Sequence, residues 1–296
     1  MKDSLLDLIR LGTQGSRVRI AGDAKMKLCR LEGIKAVVFD VYGTLFSSGA
    51  GDISLAGEVD NAQIIHDTLA DNGFPIDQNG MDPPLDKRLH DTIRAHQQKR
   101  RNAGVEYPEV EIRSVWRDFL EDLTSRLDIS PSRSPDIDKL VVDYERRVNP
   151  IRIMPDLREL LDFLNTRRFV TSIISNAQFY TPLLFDAYFG KSLQELGFCE
   201  KCSVWSYELL EGKPSQALYK KAASNLLSHH GITPEQVLYV GNDIRNDIWP
   251  AQAVGFKTAL FSGDQLSLRR RVDDPDCGNV MATVEITRLM QIAECV

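Results

Sequence analysis

The sequence lacks the features that mark membrane-spanning, disulfide-rich and nucleic-acid-binding proteins. No apolar run in its 296 residues approaches the ~18 that a membrane-spanning helix needs. Its five cysteines are too few for a disulfide framework in a chain of this length, which predicts a reducing, cytoplasmic location. The formal net charge of −6 offers no general attraction for nucleic acid or an anionic membrane. We expect neither partner, and the composition leaves the oligomeric state open.

One stretch stands out against an ordinary composition of 43% hydrophobic and 26% charged residues. Residues 36–39 (AVVF) are continuously apolar, which is typical of a parallel strand buried on both faces. Asp40 follows directly, and Gly43 then allows the chain to turn away. Because open α/β sheets bind ligands at the carboxyl ends of their strands, this pattern predicts a functional carboxylate at Asp40.

The hydrophobic pattern divides the chain into segments. Residues 1–33 contain one amphipathic helical stripe and are interpreted as an N-terminal helical extension. Residues 51–152 show helical periodicity without strand-like runs, whereas apolar strands alternate with helices in 153–296. Segments 34–50 and 153–296 are therefore predicted to form one α/β domain with a doubly wound parallel sheet, into which 51–152 is inserted as a helical domain.

Two local patterns in these segments make detailed predictions. Leu5, Leu6 and Ile9, extended by Leu11, form the stripe of the N-terminal helix, which would pack either on the body of the protein or on a second subunit. In the insert, Ser134 and Pro135 are interpreted as the N-cap and first residue of a helix, because proline is favoured at that first position.

Polar residues lie at the ends of three predicted strands. These are Asp40, the pair Ser175 and Asn176, and Asp243, while Lys213 precedes a predicted helix. In a parallel sheet the three strand ends share one edge. A carboxylate there can act as a covalent nucleophile, and a nearby cation offsets its repulsion from an anionic substrate. The set predicts transfer of an anionic group from a small molecule.

Two of the carboxylates have a spacing suited to a metal site. Asp243 and Asp247 are four residues apart and therefore share one face of a helical turn. Hard oxygen ligands select Mg²⁺, which keeps several water ligands and takes one or two protein carboxylates. Mg²⁺ is the predicted cofactor.

The chain resembles the haloacid dehalogenase-like hydrolase superfamily in four motifs, which occur in the family's order. They are FDVYGTL at 39–45, ISN at 174–176, GKP at 212–214 and GNDIRND at 241–247. The resemblance implies a Rossmann-like core, and it identifies the helical insert with the cap domain of the family.

The resemblance also implies a role for each matched residue. Asp40 would be the nucleophile that forms an aspartyl intermediate, and Lys213 would neutralise charge on Asp40 and on the substrate. Ser175 would hydrogen-bond the transferred group, with Asn176 and Thr44 as further substrate-binding residues.

The metal ligands follow from the same resemblance. Asp40, the main-chain carbonyl of Tyr42 and Asp243 would hold Mg²⁺. Asp247 would support the ion directly or through another ligand.

Tyr42 departs from the phosphatase pattern of this family. Those phosphatases typically carry a second Asp two residues after the nucleophile as general acid and base, and a phenol with a pKa near ~10 is a poor base at neutral pH. The family's 2-haloacid dehalogenases carry a tyrosine there and need no metal, since halide leaves without protonation. They generally lack the paired carboxylates that Asp243 and Asp247 provide in this chain.

We interpret the paired carboxylates as the stronger indication, because a magnesium site has no evident use in dehalogenation. The sequence therefore predicts a Mg²⁺-dependent phosphatase that acts on a small phosphorylated molecule, with Tyr42 among its candidate catalytic residues. A 2-haloacid dehalogenase-type hydrolase is the first alternative. A binding or regulatory module with this fold and little activity is the second.

Cys199 and Cys202 form an isolated CxxC pair. A zinc site needs four ligands, and neither Cys277, Cys295 nor the histidines supply a recognisable second pair. His229 and His230 fall at a predicted helix end, where cations suit the helix dipole. The sequence therefore predicts neither a zinc site nor a catalytic histidine here.

Overall fold

The protein is described from a computed structural model that defines residues 2–12, 24–48, 61–76, 83–127 and 134–296. No helix within these ranges has the length and apolar character required to cross a membrane.

Within the described residues the strands form one six-stranded sheet and a separate two-stranded ribbon. In chain order they are β1 (Ala36–Phe39), β2 (Phe46–Ser48), β3 (Ile151–Ile153), β4 (Val170–Ser175), β5 (Val204–Trp205), β6 (Val237–Gly241), β7 (Lys257–Phe261) and β8 (Val284–Ile286). The sheet is parallel throughout and has the order β5-β4-β1-β6-β7-β8, while β2 pairs with β3 in antiparallel fashion. The predicted doubly wound parallel sheet is confirmed.

Helices account for much of the remaining described chain. They are α1 (Lys2–Leu11), α2 (Ala62–Asp71), α3 (Leu85–Asn102), α4 (Ile112–Leu127), α5 (Ile137–Val148), α6 (Leu157–Thr166), α7 (Thr181–Phe189), α8 (Ser206–Leu209), α9 (Gln216–His230), α10 (Trp249–Ala253) and α11 (Ile292–Cys295). Short 3₁₀ turns occur at Glu200–Cys202, Pro234–Gln236 and Leu289–Gln291, and a π-helical turn occurs at Ile244–Ile248.

The side chains of β1 alternate between two apolar layers. Val37 and Phe39 join the large core cluster that includes the buried face of α6, whereas Ala36 and Val38 pack in the cluster formed with α9. All four residues are fully buried, as the continuous apolar run predicts. Helices on both faces of a parallel sheet are the arrangement that buries such a strand completely.

β1 lies between β4 and β6. The strands β4 and β5 lie on one side of it, and the later strands β6, β7 and β8 lie on the other, so the strand order reverses at β1. Phe39 is in register with Ile173 of β4 and with Val240 of β6. The residues that follow these positions therefore emerge side by side at the carboxyl edge. In open α/β sheets this switch point opens the crevice in which ligands bind.

Helices α2 to α5 fall within the predicted insert, whose boundary with the core at residue 50 lies outside the described residues. Their apolar stripes pack together around Trp116, which makes edge contacts with Phe119 and Tyr144. Trp116 is fully buried, as expected of a residue on a helical core stripe.

The predicted cap of α5 is wrong. The helix begins at Ile137, and its N-cap is Asp136, whose carboxylate accepts a hydrogen bond from the main-chain N–H of Lys139. Asp is as good a cap as Ser, so the next capping residue along the chain takes the place of Ser134 and Pro135.

The N-terminal helix packs on the body of the protein. Leu5, Leu6 and Ile9 are buried in the core cluster, where α1 contacts α5 and α7. Leu11, at the end of the helix, is exposed, so the predicted stripe is one residue too long. Lys2 also pairs with Asp186 of α7 at 2.9 Å. Of the two locations that the apolar stripe allowed, the structure has the intramolecular one.

The insert touches the core beside the segment that carries Lys213. The main-chain N–H of Gly212 donates to the carbonyl of Tyr107 at 2.8 Å, and the N–H of Glu109 donates to the carbonyl of Leu210 at 3.2 Å. These bonds hold the loop between α3 and α4 against the segment that precedes Lys213.

Candidate active site

The carboxyl edge of the sheet brings together three of the predicted catalytic residues. Asp40 follows β1 directly, Ser175 ends β4, and Lys213 approaches from the loop before α9. The Ser175 hydroxyl donates to Asp40 Oδ1 at 2.9 Å, and the Lys213 ammonium donates to the same oxygen at 2.6 Å. Among the described residues none donates to Asp40 Oδ2, so the carboxylate is held by one oxygen only.

Lys213 is buried and bridges two carboxylates. Its Nζ donates to Asp40 and to Asp247, at 2.6 Å in each case, and its main-chain N–H donates to Asn176 Oδ1 at 2.7 Å. Burial alone would lower the pKa of Lys213, but Asp247 and Asp40 raise it above its ordinary value. Lys213 therefore remains a cation beside the nucleophile candidate.

Asp247 is almost fully buried, and four donors surround its carboxylate. Oδ1 accepts from Lys213 and, at 3.0 Å, from the Tyr239 hydroxyl. Oδ2 accepts from the main-chain N–H groups of Asn242 and Asp243, each at 3.0 Å. Burial raises the pKa of Asp247 and these donors oppose that effect. A carboxylate so surrounded positions Lys213 and has little capacity left for a metal ion.

Asp243 is held by a guanidinium group. Arg271 donates through Nε to Oδ1 at 3.1 Å and through Nη2 to Oδ2 at 2.7 Å. Oδ1 also accepts from the main-chain N–H groups of Arg245 and Asn246, as at a helix N-cap. This bidentate contact is the stronger of the geometries that an arginine–carboxylate pair adopts.

Gly43 and Thr44 lock the turn after β1 against the loop after β6. Gly43 has φ +85°, and a Cβ there would lie 2.6 Å from the side-chain nitrogen of Asn242. The Thr44 hydroxyl donates to Asn242 Oδ1 at 3.1 Å, and Asn242 in turn donates to the carbonyl of Ser267 at 2.6 Å. Glycine is required here both for the backbone conformation and for the close approach.

The Tyr42 hydroxyl pairs with Thr181 Oγ1 at 3.0 Å. Burial, followed by the negative charge of Glu145, raises the pKa of Tyr42 well above its ordinary value. The phenol is therefore protonated at any neutral pH, and it is a weaker acid than free tyrosine.

The crevice is open to solvent and is lined by polar residues. They are Asp40, Tyr42, Ser48, Asn176, Lys213, Asn242, Asp243, Asn246, Asp247, Ser267 and Arg269. The three carboxylates are matched by three nearby cations, since Arg271 joins Lys213 and Arg269. The charge is balanced within the protein itself.

The sequence analysis does not identify three residues of this arrangement. Tyr239 carries a hydroxyl within the otherwise apolar run of β6, and this pattern indicates a buried hydrogen-bond partner. Arg269 and Arg271 belong to an arginine run at 269–271 that carries no motif. Their place at the crevice depends on how the loop after β7 folds back.

Comparison with known structures supports the fold. A 2-haloacid dehalogenase from Pseudomonas syringae pv. tomato DC3000 is 20% identical, with a TM-score of 0.54 over 88% of this chain and 97% of that one. A HAD phosphatase from Thermococcus onnurineus is 17% identical, with a TM-score of 0.50 over the same shares. At these identities the likeness establishes a common fold and leaves the reaction open. A search of curated proteins returned no match.

The family itself follows from the sequence. The family model described as haloacid dehalogenase-like hydrolase matches residues 34–255, which is most of the chain and includes all four motifs. The chain belongs to the haloacid dehalogenase-like hydrolase family.

Proposed function

We propose that this hydrolase cleaves a small phosphate monoester through a covalent intermediate on Asp40. The observation that carries the proposal is the arrangement at Asp40, where Ser175 and Lys213 hold Oδ1 and leave Oδ2 without a donor among the described residues. Oδ2 would attack phosphorus while Lys213 balances the charge of the transferred group. In phosphoryl transfer, electrostatic stabilisation of this kind usually contributes more to the rate than any other effect.

A second carboxylate in the same crevice supports a phosphate substrate. Asp40, Tyr42 and Asp243 line this crevice. Their carboxylate and main-chain carbonyl oxygens are the hard donors that Mg²⁺ prefers, so the donor chemistry fits this ion. When bound, the ion would neutralise charge on the phosphoryl oxygens. Asp247, with donors on both oxygens, would hold Lys213 in place.

Arg271 would compete with Mg²⁺ for Asp243. We expect Arg271→Met to tighten Mg²⁺ binding about 10- to 100-fold, since hydrogen bonds to a charged group contribute roughly 1.5–3 kcal/mol and 1.4 kcal/mol is a factor of ten. Calorimetric titration of the purified protein with Mg²⁺ measures this. Arg269→Met is the matched control, because Arg269 donates to main-chain carbonyls of Leu266 and Leu268 instead. Equal Mg²⁺ affinity in the two variants would contradict a metal role for Asp243.

The phosphate proposal also constrains the leaving group. No carboxyl group stands two residues after Asp40, and the pKa of Tyr42 is raised by burial, so the phenol donates a proton poorly. An alcohol would have to leave with little help. The natural substrate is therefore expected to have an acidic leaving group, such as an acyl, enol or aryl oxygen.

We expect turnover to fall steeply from an aryl phosphate with an acidic phenol to a simple alkyl phosphate. Tyr42→Asp places a carboxyl at this position. It should reduce the ratio of aryl to alkyl phosphate turnover by about 100-fold, the lower end of the range for general acid catalysis. Steady-state kinetics on a series of aryl and alkyl phosphates measure it. Tyr42→Phe, which removes only the hydroxyl bound to Thr181, should leave the series unchanged. Unchanged turnover in Tyr42→Asp would mean that the acid and base role lies elsewhere.

Tyr42 and Arg271 together favour a second candidate, a 2-haloacid dehalogenase-type hydrolase. Displacement of halide from carbon by Asp40 needs neither a proton donor nor a metal, and the charges of the crevice are already balanced. Asp247 would hold Lys213 in either reaction, but Asp243 has no evident use in dehalogenation, which is why we rank that reaction second.

One assay separates these candidates. Purified protein is incubated with a panel of phosphate monoesters and with 2-haloacids, each with Mg²⁺ and with EDTA, and Asp40→Asn serves as the blank. Mg²⁺-dependent phosphate release that is absent from the blank is the expected result. Halide release indifferent to EDTA would overturn it. Mg²⁺ binding without turnover on any substrate would favour a binding module.

A further inference from the structure

The isolated CxxC pair acquires a third partner in the folded protein. Cys199 is the N-cap of the 3₁₀ turn Glu200–Cys202, Cys202 is the last residue of that turn, and His230 is the last residue of α9. One donor atom from each of the three lies within 4.8 Å of the others, and Cys199 Sγ is 3.4 Å from His230 Nε2. Among the described residues no other group of three or more Cys, His, Asp or Glu converges in this way.

The cluster is separate from the catalytic crevice. The main-chain N–H of Cys199 donates to the carbonyl of Thr171, near the amino end of β4, at 2.7 Å. Ser175, at the other end of the same strand, contacts Asp40. The two sites therefore lie at opposite edges of the sheet, and the cysteines have no part in the proposed hydrolysis.

The three side chains differ in their exposure to solvent. His230 is exposed, Cys199 is partly exposed and Cys202 is fully buried. Two thiols and an imidazole are the donor set that favours Zn²⁺ over Mg²⁺ or Ca²⁺. A water molecule or another donor would complete a tetrahedral shell, since no fourth Cys, His, Asp or Glu of the described chain joins the group.

We propose that Cys199, Cys202 and His230 bind one Zn²⁺ ion. The ion would tie the turn after the Thr171 contact to the C-terminal end of α9, two segments that are about thirty residues apart in the chain. On binding, each cysteine gives up its thiol proton to solvent as the sulfur–zinc bond forms, while His230 binds through a neutral ring nitrogen. The site would stabilise the fold and take no part in turnover.

A metal explains the cluster better than a redox pair does. A Cys199–Cys202 disulfide would leave the close approach of His230 Nε2 to Cys199 Sγ, at 3.4 Å, without a role, whereas a zinc ion uses all three donors.

The test uses the full chain, reduced and freed of metal with a chelator that is then removed. Zn²⁺ is added in the presence of a competing indicator, and bound Co²⁺ is followed through its thiolate charge-transfer absorption. Cys199→Ser, Cys202→Ser and His230→Ala are compared with His229→Ala, which changes the neighbouring exposed histidine at the same helix end. Circular dichroism confirms that each variant is folded.

We expect one Zn²⁺ per chain in the unmodified protein and in His229→Ala, together with a higher unfolding temperature when the ion is bound. Binding should weaken by at least about 100-fold in Cys199→Ser and His230→Ala, because even residues that only support metal ligands cost 10- to 100-fold. If Cys202→Ser fails to fold, the two histidine variants still decide the question. Equal affinity in those two variants, no zinc binding, or a Cys199–Cys202 disulfide formed in place of zinc binding would each overturn the proposal.

Discussion

Asp40→Asn is expected to reduce turnover of the substrate identified in the assay by roughly 10³-fold or more, the scale on which removal of a covalent nucleophile acts. The amide oxygen of Asn is neutral and does not attack phosphorus or carbon at a useful rate. The side chain keeps its shape, and its oxygen still accepts hydrogen bonds from Ser175 and Lys213. The loss should therefore appear in kcat while the fold is retained.

The covalent step has its own readout. The experiment is a single turnover in ¹⁸O-labelled water. If water attacks the phosphorus of an aspartyl-phosphate, the label enters the product phosphate. Asp40 then stays unlabelled, even after repeated turnovers. In a dehalogenase-type reaction, water attacks the aspartyl carbon and the label enters the Asp40 side chain. Mass spectrometry of the peptide that carries Asp40 distinguishes the two. An Asp40→Asn variant that keeps turnover within tenfold of the unmodified protein would exclude both.

Lys213→Met is expected to destabilise the protein by about 3–5 kcal/mol, because it leaves Asp40 and Asp247 as buried carboxylates without a cation. The two lie within 2.6 Å of the Lys213 ammonium, and all three side chains are nearly inaccessible to solvent. Urea unfolding at pH 7 measures the loss. Lys220→Met, on the exposed face of α9, is the matched control and should change stability little.

The pH dependence of this loss has a defined sign. In the unmodified protein the pKa of Lys213 is raised by its two carboxylates, so its contribution to stability is full below about pH 10 and is lost as the pH rises further. In Lys213→Met, Asp247 loses the cation that lowers its pKa, while burial continues to raise it. A carboxyl with a raised pKa in the folded state destabilises the fold as it ionises. The stability that Lys213→Met loses relative to the unmodified protein should therefore become smaller as the pH is lowered toward about 4.

A second substitution tests the origin of the effect. Adding Asp247→Asn to Lys213→Met removes one of the uncompensated charges and should recover part of the lost stability. Coupling of this kind is expected between residues in direct contact. Strict additivity of the two substitutions would show that the buried charges are not what destabilises the single variant.

Much of the site could be predicted because it depends on local pattern. The apolar run before Asp40 identifies a buried strand, and the runs before Ser175 and Asp243 identify two more. A parallel sheet aligns the carboxyl ends of its strands. The positions of the strands in the sequence are therefore sufficient to predict that these side chains lie at one edge. The helices of the insert can be predicted in the same way, because their apolar residues recur with helical periodicity. The short strands β2, β3 and β8 could not be predicted, since three residues are too few to establish a period.

The sequence by itself thus determined the family, the sheet, and the group of residues at its edge, because strand and helix periodicity and motif order are properties of neighbouring residues. Only the tertiary structure decided which partner each charged group has. It paired Arg271 with Asp243, Tyr239 with Asp247 and His230 with the two cysteines, and it placed α1 on the body. Such contacts join distant segments through loops that carry no periodic signal, and a partner found across a loop depends on packing of the whole chain.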